Sequence, residues 1–426
     1  MTASEKDRTG RVPKTLYANQ IAGSLGSGMA AASVPVYAMR LGASGIDLGW
    51  LQAIQNFFPN ALQIPWGKLS DRLGRRTPFI IVGTALAAVA YLMMIASSTA
   101  LLVILAALFQ AIATSAVVPA WSALVGEKVP VTARGKSLGH LGRWAGLAGV
   151  AGSVAAIFVV SSAPAESAPI FHFLFLPAFI TGLVAALVIL LLRERRSVHK
   201  PDTDGAVAPE AEDEATKLDF RFFVKTQVFY NFFMSFIWPI MTLTQVVYLN
   251  ASNLEVAILS LIGAIATVAV QSQVGKLMDR VGPVNMISAS RFMLAIVPLV
   301  YGFATSMYQL YVMNLLLGVA LAIGNVAFTG YLLDIAPPQR RGEYFANFNT
   351  AIGVVTFVGS LMGGYLATFF IGVWGLWFGL LVVYMISFGG RLAGAFWTLN
   401  VKERRKYPER MRDVMLENMP FIRPPP

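Results

Sequence analysis

Two short loops that lie 208 positions apart hold charged residues that could form ion pairs and contacts with helix ends. They span residues 67–74 and 275–282, and both read Gly-Lys-Leu-x-Asp-Arg-x-Gly. The aspartate of each loop can interact with the positive N-terminal end of a helix, and the arginine can pair with a carboxylate. The glycines permit tight turns and close approach of helices. The pattern therefore predicts reversible charge contacts at helix ends.

Acidic residues recur with nearly the same offset as the two loops. Glu127 recurs 207 positions later as Asp334, and Asp47 recurs 208 positions later as Glu255. We expect Arg72 to pair with Glu127, and the arginine of the second loop to pair with Asp334. Such pairs would form a gate, although charge pairs at helix ends can also serve only topology and packing. The predicted gate residues are Gly67, Asp71, Arg72, Gly74, Arg76, Glu127, Asp279, Arg280 and Asp334.

The composition indicates that these loops connect membrane helices. Of the 426 residues, 56% are hydrophobic and only 13% are charged, whereas soluble proteins carry about 25% charged residues. About a dozen stretches reach the roughly 20 apolar residues that a spanning helix needs. Cysteine is absent and the three histidines are scattered, so the sequence offers no convincing metal cluster and no Cys nucleophile. We expect no cofactor.

Hydrophobic periodicity and the distribution of basic residues predict an all-α membrane protein with twelve transmembrane helices. Basic residues cluster in alternate connections, which puts both termini in the cytoplasm of a plasma-membrane protein and requires an even number of helices. The net charge of +11 is therefore attributed to topology and to anionic lipid headgroups, not to nucleic acid. The predicted organisation is a six-helix bundle at 1–192, a flexible cytoplasmic linker at 193–219, a second six-helix bundle at 220–398 and a cytoplasmic tail at 399–426.

The first loop, extended to Arg75 and Arg76, resembles the signature between helices 2 and 3 of the major facilitator superfamily. The resemblance covers the whole chain and implies two pseudo-symmetric bundles, a monomer, and a cavity lined by helices 1, 4, 7 and 10. It also implies that Asp71 faces the start of helix 11 near Glu343. The drug–proton antiporters of this family carry arginine where this sequence has Ala107, and they carry a proline in helix 5 that is missing here.

Polar residues inside the predicted helices are the candidates for ligand binding. Amides and aromatic side chains offer hydrogen bonds and stacking faces to a neutral or amphipathic solute; the alternative is that they only join helices. Arg143 would be a cavity cation for an anionic ligand, or would reach the headgroups, as we expect for Arg291 and Arg391. The predicted substrate-binding residues are Asn56, Asn60, Gln110, Thr114, Arg143, Asn231, Trp238, Gln245 and Asn325.

These features favour a transporter that moves a small organic solute by alternating access, through a rocking motion of the two halves. No acidic residue lies near the centre of a predicted helix, which disfavours proton antiport of amphipathic drugs through a buried carboxylate; that alternative stays open through a gate acid or His140. A protein that flips lipids on the same scaffold is a second alternative. An enzyme is disfavoured, because it would need paired titratable groups in a cavity.

Overall fold

The computed structural model describes residues 13–128, 134–162, 164, 168–192, 214–337, 340–404 and 407. These residues form fifteen α-helices and no strand. The helices are α1 (Lys14–Ala30), α2 (Ser33–Arg40), α3 (Gly45–Ala61), α4 (Gln63–Leu73), α5 (Thr77–Ile95), α6 (Ala100–Lys128), α7 (Arg134–Ser161), α8 (His172–Leu190), α9 (Glu214–Ser235), α10 (Trp238–Leu243), α11 (Asn253–Val281), α12 (Pro283–Phe303), α13 (Met307–Ile335), α14 (Arg341–Trp374) and α15 (Leu376–Thr398).

Within the described ranges, nine helices are long and apolar enough to cross a membrane alone. Three further crossings are formed by the consecutive pairs α1–α2, α3–α4 and α9–α10, which gives the predicted twelve. Each pair replaces one helix that the sequence predicts as continuous. A proline lies in the first turn of each second segment, as Pro35, Pro65 and Pro239. Because proline cannot donate to the carbonyl four residues earlier, each break falls just before it.

The last helix supports the break between α9 and α10. Ser387 Oγ donates to the carbonyl of Phe233 at 2.6 Å, and Arg391 Nη2 donates to that of Met234 at 2.7 Å. Both carbonyls belong to the last turn of α9, where the helix no longer provides donors. The two α15 side chains therefore replace backbone hydrogen bonds that the break removes.

Arg391 also connects this break to α12. Its Nη1 donates to the carbonyl of Leu294 at 2.8 Å, and residue 298, which would normally donate to that carbonyl, is a proline. Arg391 is only 2% exposed. The expectation that it reaches the headgroups is therefore wrong, because two carbonyls freed by helix irregularities bind it inside the bundle.

Glycines bring crossing helices into close contact, notably in the glycine-rich helices α7 and α14. A Cβ atom on Gly28 of α1 would overlap the carbonyl oxygen of Gly149 on α7. In the same way, a Cβ atom on Gly363 of α14 would overlap the carbonyl of Phe236. Small residues at these points allow backbone-to-backbone packing, which membrane helices use in place of hydrophobic burial.

The structure places most of both predicted loops in helices, because residues 67–73 form the end of α4 and residues 275–281 form the end of α11. Gly74 (φ 61°) ends α4 and Gly282 (φ 88°) ends α11, and both have positive φ values that favour glycine. We call the end of the molecule that carries these turns the repeat-loop side, and the opposite end, where Arg40 ends α2, the Arg40 side. On the Arg40 side, Ser44 with Asp47 and Ser252 with Glu255 form two matching capping boxes at the starts of α3 and α11.

The two halves meet along α3 against α14 and along α7 against α11. At the Arg40 side, α10 also packs against α2 and α3. Arg40 joins the halves there, since its Nε donates to Asn253 Oδ1 at 3.1 Å and its Nη2 donates to the carbonyl of Ala251 at 2.9 Å. α9 begins at Glu214, before the predicted boundary at residue 220.

Candidate functional site

A cavity of about 380 Å³ lies between the two halves, and we call it the central cavity. One wall comes from the first half through α2 and α3, and the other comes from the second half through α10–α13 and the π-helical turn Thr244–Tyr248. Among the described residues that line it, none is charged. Its polar side chains include Gln52, Gln55, Asn56, Trp238, Gln245, Tyr301 and Asn314.

A small hydrogen-bond network in the central cavity is centred on Tyr301. The hydroxyl of Tyr301 accepts a bond from Gln245 Nε2 at 3.2 Å and another from Asn314 Nδ2 at 3.4 Å. Gln245 lies in the π-helical turn, which Thr244 anchors through a 2.6 Å hydrogen bond with the hydroxyl of Tyr384. With two donors directed at it, the Tyr301 hydroxyl can direct its own proton toward a ligand.

A second cavity of about 160 Å³ lies entirely within the second half, between α9, α12, α13 and α14. We call it the arginine pocket, because Arg291 forms part of its lining. Arg291 is only 4% exposed. The expectation that this side chain reaches the headgroups is therefore wrong: α12 directs it into the bundle, where aromatic and amide groups surround it.

The structure separates the predicted substrate-binding residues into three groups. Asn56, Trp238 and Gln245 line the central cavity, whereas Asn231 and Asn325 line the arginine pocket. The remaining four, Asn60, Gln110, Thr114 and Arg143, are absent from the described lining of either cavity.

Each residue of the third group makes a local contact or faces outward. Gln110 Nε2 donates to the carbonyl of Ala87 at 3.4 Å and Thr114 donates to the carbonyl of Gln110, both within the first half. Asn60 lies against α14, and Arg143 is exposed on α7. Periodicity cannot distinguish these positions from cavity positions, because a polar residue that faces a neighbouring helix has the same spacing.

Several predicted gate residues lie at the repeat-loop side, while the ion pairs expected among them stay predictions. Arg76 Nη1 donates to Ser70 Oγ at 2.9 Å next to the first turn, and Asp334 accepts a 2.8 Å hydrogen bond from the hydroxyl of Tyr407. The side chains of Asp71 and Glu127 lie outside the described part of the structure. The other residues of the set are Gly67 and Arg72 in α4, Gly74 after it, and Asp279 and Arg280 at the end of α11.

The tail after α15 binds the repeat-loop side of the second half. Glu403 Oε2 accepts a 3.1 Å hydrogen bond from the backbone N–H of Val284 at the start of α12, and Arg404 pairs with Asp219 of α9 at 2.9 Å. Burial, with Asp334 nearby as a lesser cause, raises the pKa of Glu403 to about 7. Sequence reasoning missed this contact, because the tail has no hydrophobic periodicity that would indicate packing.

Comparison with known proteins agrees with this architecture. The family model of the Major Facilitator Superfamily matches residues 16–243 and 226–423. The chain belongs to this superfamily. It is therefore a multi-pass membrane transporter with a small-molecule substrate, not an enzyme, and the predicted twelve-helix fold with two related bundles is confirmed.

Relatives in the superfamily are distant in sequence. An uncharacterized MFS-type transporter of Methanocaldococcus jannaschii is 24% identical over 352 residues, covering 80% of this chain and 88% of that protein. The multidrug resistance protein MdtG of Enterobacter lignolyticus is 25% identical over 339 residues, covering 78% and 79%.

Solved structures share the fold at still lower identity. The nucleoside transporter NupG matches with a TM-score of 0.65 at 13% identity, covering 91% of this chain and 99% of that one. A POT family transporter in complex with 5-aminolevulinic acid matches with a TM-score of 0.71 at 10% identity, covering 92% and 96%. At this level of identity the likenesses show the fold alone.

Proposed function

We propose that this protein is a secondary transporter that moves small neutral or amphipathic organic solutes by alternating access. The observation that carries the proposal is the position of the central cavity, whose walls come from both halves. When two bodies rock against each other, a site between them opens to one side and then to the other. A cavity inside one half would not change its access in this way.

The chemistry of the lining supports the proposed solute class. The described lining combines amide groups, hydroxyl groups and the indole of Trp238, without a charged side chain. Amides donate and accept hydrogen bonds, and aromatic faces stack on apolar or planar groups. The name of the MdtG relatives, multidrug resistance protein, fits an amphipathic substrate and supports efflux as the direction of transport.

We assign the repeat-loop side to the cytoplasm of the plasma membrane, because the basic connections lie there. With that orientation, the contacts that Arg40 makes with Ala251 and Asn253 close the outer side, and the molecule is in an inward-facing state. The repeated charged loops then act as the cytoplasmic gate, with Arg72 and Glu127 as the first pair and Arg280 and Asp334 as the second. We expect a monomer to suffice, and membrane lipids to be its other partners.

Transport by reconstituted vesicles tests this proposal. We would measure uptake of a nucleoside, a sugar and an amphipathic dye, each with and without imposed proton and sodium gradients. For the solute that is transported, Gln245→Leu should lower uptake about fivefold, because it removes a polar partner in the cavity that contributes about 1 kcal/mol. Gln110→Leu is the matched control, since the same change lies outside the central cavity, and its uptake should stay within about twofold of the parent.

Two results would count against the proposal. Equal losses in the two glutamine variants would mean that the central cavity is not where the solute binds. Absence of gradient-dependent or facilitated movement of every solute, in vesicles that contain correctly folded protein, would remove the transport function itself.

A further inference from the structure

The guanidinium of Arg291 lies over two aromatic rings in the interior of the second half. Its Cζ atom is 4.1 Å from the centroid of the Tyr230 ring and 4.6 Å from that of the Phe328 ring. Cation–π contacts of this kind stabilise a cation without neutralising its charge.

The hydrogen bonds of Arg291 leave one of its nitrogens available. Nε and Nη2 both donate to Gln227 Oε1, at 3.1 and 2.6 Å. The remaining nitrogen, Nη1, lies 3.9 Å from the sulfur of Met234, which is a weak acceptor, and the guanidinium also interacts with the neutral side chain of Tyr230. Within the ranges that the structure describes, no carboxylate forms an ion pair with Arg291.

A comparison with Arg391 shows what a purely structural arginine looks like in this bundle. Both terminal nitrogens of Arg391 donate to backbone carbonyls, of Leu294 at 2.8 Å and Met234 at 2.7 Å. Those carbonyls need donors, so both terminal nitrogens of Arg391 have a structural role, while its Nε has no hydrogen-bond partner among the described residues. Arg291 satisfies no freed carbonyl, and its charge is buried beside a cavity instead.

The arginine pocket has the size and lining that suit a small ring. Its volume of about 160 Å³ is similar to that of an apolar cavity of about 150 Å³ that binds benzene in another protein. Aliphatic and aromatic side chains form most of the walls, and Asn231, Ser290 and Asn325 add hydrogen-bonding groups beside Arg291. Asn325 is exposed, which provides a polar rim to the pocket.

We propose that the arginine pocket binds an organic anion: a carboxylate carried on a small aromatic or branched apolar body. The carboxylate would accept hydrogen bonds from Nη1 of Arg291, and the apolar body would fill the space between α9, α12, α13 and α14. A buried cation without a charged partner is costly in a membrane protein, and an anionic ligand removes that cost. This site is separate from the central cavity and does not depend on alternating access.

Equilibrium binding to the purified full-length protein tests the proposal. The protein would be placed in phosphatidylcholine nanodiscs, which supply no net anionic headgroup, and titrated by calorimetry with benzoate and with benzamide. The two probes have nearly the same shape, and only benzoate carries a charge. Benzoate should bind at least about tenfold more tightly than benzamide, as expected for a charge-assisted hydrogen bond.

Substitutions then locate the binding. Asn231→Asp places a carboxylate in the pocket, so it should supply the missing partner of Arg291 and lower benzoate affinity at least about tenfold. The matched control is Asn250→Asp, the same change at an exposed turn residue with φ 52° on the Arg40 side, and its benzoate affinity should equal that of the parent. Arg291→Lys should also weaken binding, since lysine cannot present the planar fork of donors.

The Asn231→Asp variant keeps the proposal falsifiable if Arg291→Lys fails to fold. Its apparent melting temperature without ligand should be no lower than that of the parent, and benzoate should no longer raise it. Equal affinity for benzoate and benzamide would overturn the proposal. So would benzoate binding that survives Asn231→Asp unchanged. Neither result depends on transport, so failure of this site and failure of the proposed transport function are separately visible.

Discussion

The central cavity lies between the two halves of the protein, whereas the arginine pocket lies within the second half. The central cavity takes its lining from both halves of the chain, so a relative movement of the halves must reshape it. The arginine pocket takes its lining from four helices of the second half, which pack on one another. When the two halves move relative to each other, a site within one half keeps its geometry, whereas a site between the halves becomes accessible from a different side of the membrane.

The two cavities also differ in charge. The described lining of the central cavity offers only neutral groups, and its hydroxyl and amide side chains already bind one another around Tyr301. The arginine pocket contains a buried cation whose described partners are all neutral. The difference indicates that a ligand of the first site is held by many weak contacts, which suits release, whereas a ligand of the second is held by charge.

Substitution of Arg391 should disturb both cavities at once. Arg391 joins the end of α9 to α12, and both helices line the arginine pocket. Trp238, at the start of α10 just after the break, lines the central cavity. Arg391→Met would leave two buried carbonyls without a donor, which should destabilise the protein by about 3 kcal/mol. Thermal unfolding of the purified protein measures this as a clear fall in the apparent melting temperature.

Arg143→Met is the control for that experiment, because Arg143 is exposed on α7. Its melting temperature should lie close to that of the parent. If Arg391→Met were as stable as Arg143→Met, the two cavities would not share a common support, and the structural role given to Arg391 would be wrong.

The fold was largely predictable from the sequence, because the signals for it are local and repeated. Runs of about 20 apolar residues define spans, and the two loops with positive-φ glycines recur at a fixed offset. The breaks in three spans were less visible. Pro35, Pro65 and Pro239 mark them in retrospect, but a proline within a membrane helix often gives only a kink.

The candidate site was only partly predictable, because burial depends on neighbouring helices. Gln245 and Gln110 look alike in the sequence, and only the packing puts one in the central cavity and the other against α5. The sequence alone suggests that Arg291 reaches the headgroups, because it lies near the end of a predicted helix. An ionisable residue within a membrane span is a functional candidate by default, and this rule predicts the buried position of Arg291 better. Tyr301 is a similar case, because it places a hydroxyl group inside an apolar helix.

A smaller effect is expected from pH, which should change the binding of the tail after α15 but not the arginine pocket. α12 begins where Glu403 binds, and it carries Arg291 about two turns further on. Because burial raises the pKa of Glu403 from 4.5 to about 7, the bound carboxyl holds its proton more tightly than the released one. Tail binding is therefore strongest below pH 4.5 and weakens as the pH rises to about 7.

A nitroxide attached to the variant Asn400→Cys measures this change at an exposed position. The parent chain contains no cysteine, so the label reacts only there. The label should be more mobile at about pH 8 than at about pH 5.5, on either side of the raised pKa, and Glu403→Gln should abolish the difference. Benzoate affinity should change less than about twofold over the same range, because packed helices form the walls of the arginine pocket. A pH dependence that persists in Glu403→Gln would assign the effect to another group.

Distances between the two halves, measured at both ends of the same molecule, test the claim of alternating access most directly. Spin labels at Ser98 and Thr305 report on the Arg40 side, and labels at Ser122 and Thr329 report on the repeat-loop side. Arg40→Ala removes the contacts with Ala251 and Asn253, and should shift the population toward the state that is open on the Arg40 side. Alternating access requires that the first distance lengthens while the second shortens. If the first distance lengthens while the second stays unchanged, the two halves do not rock about a central site.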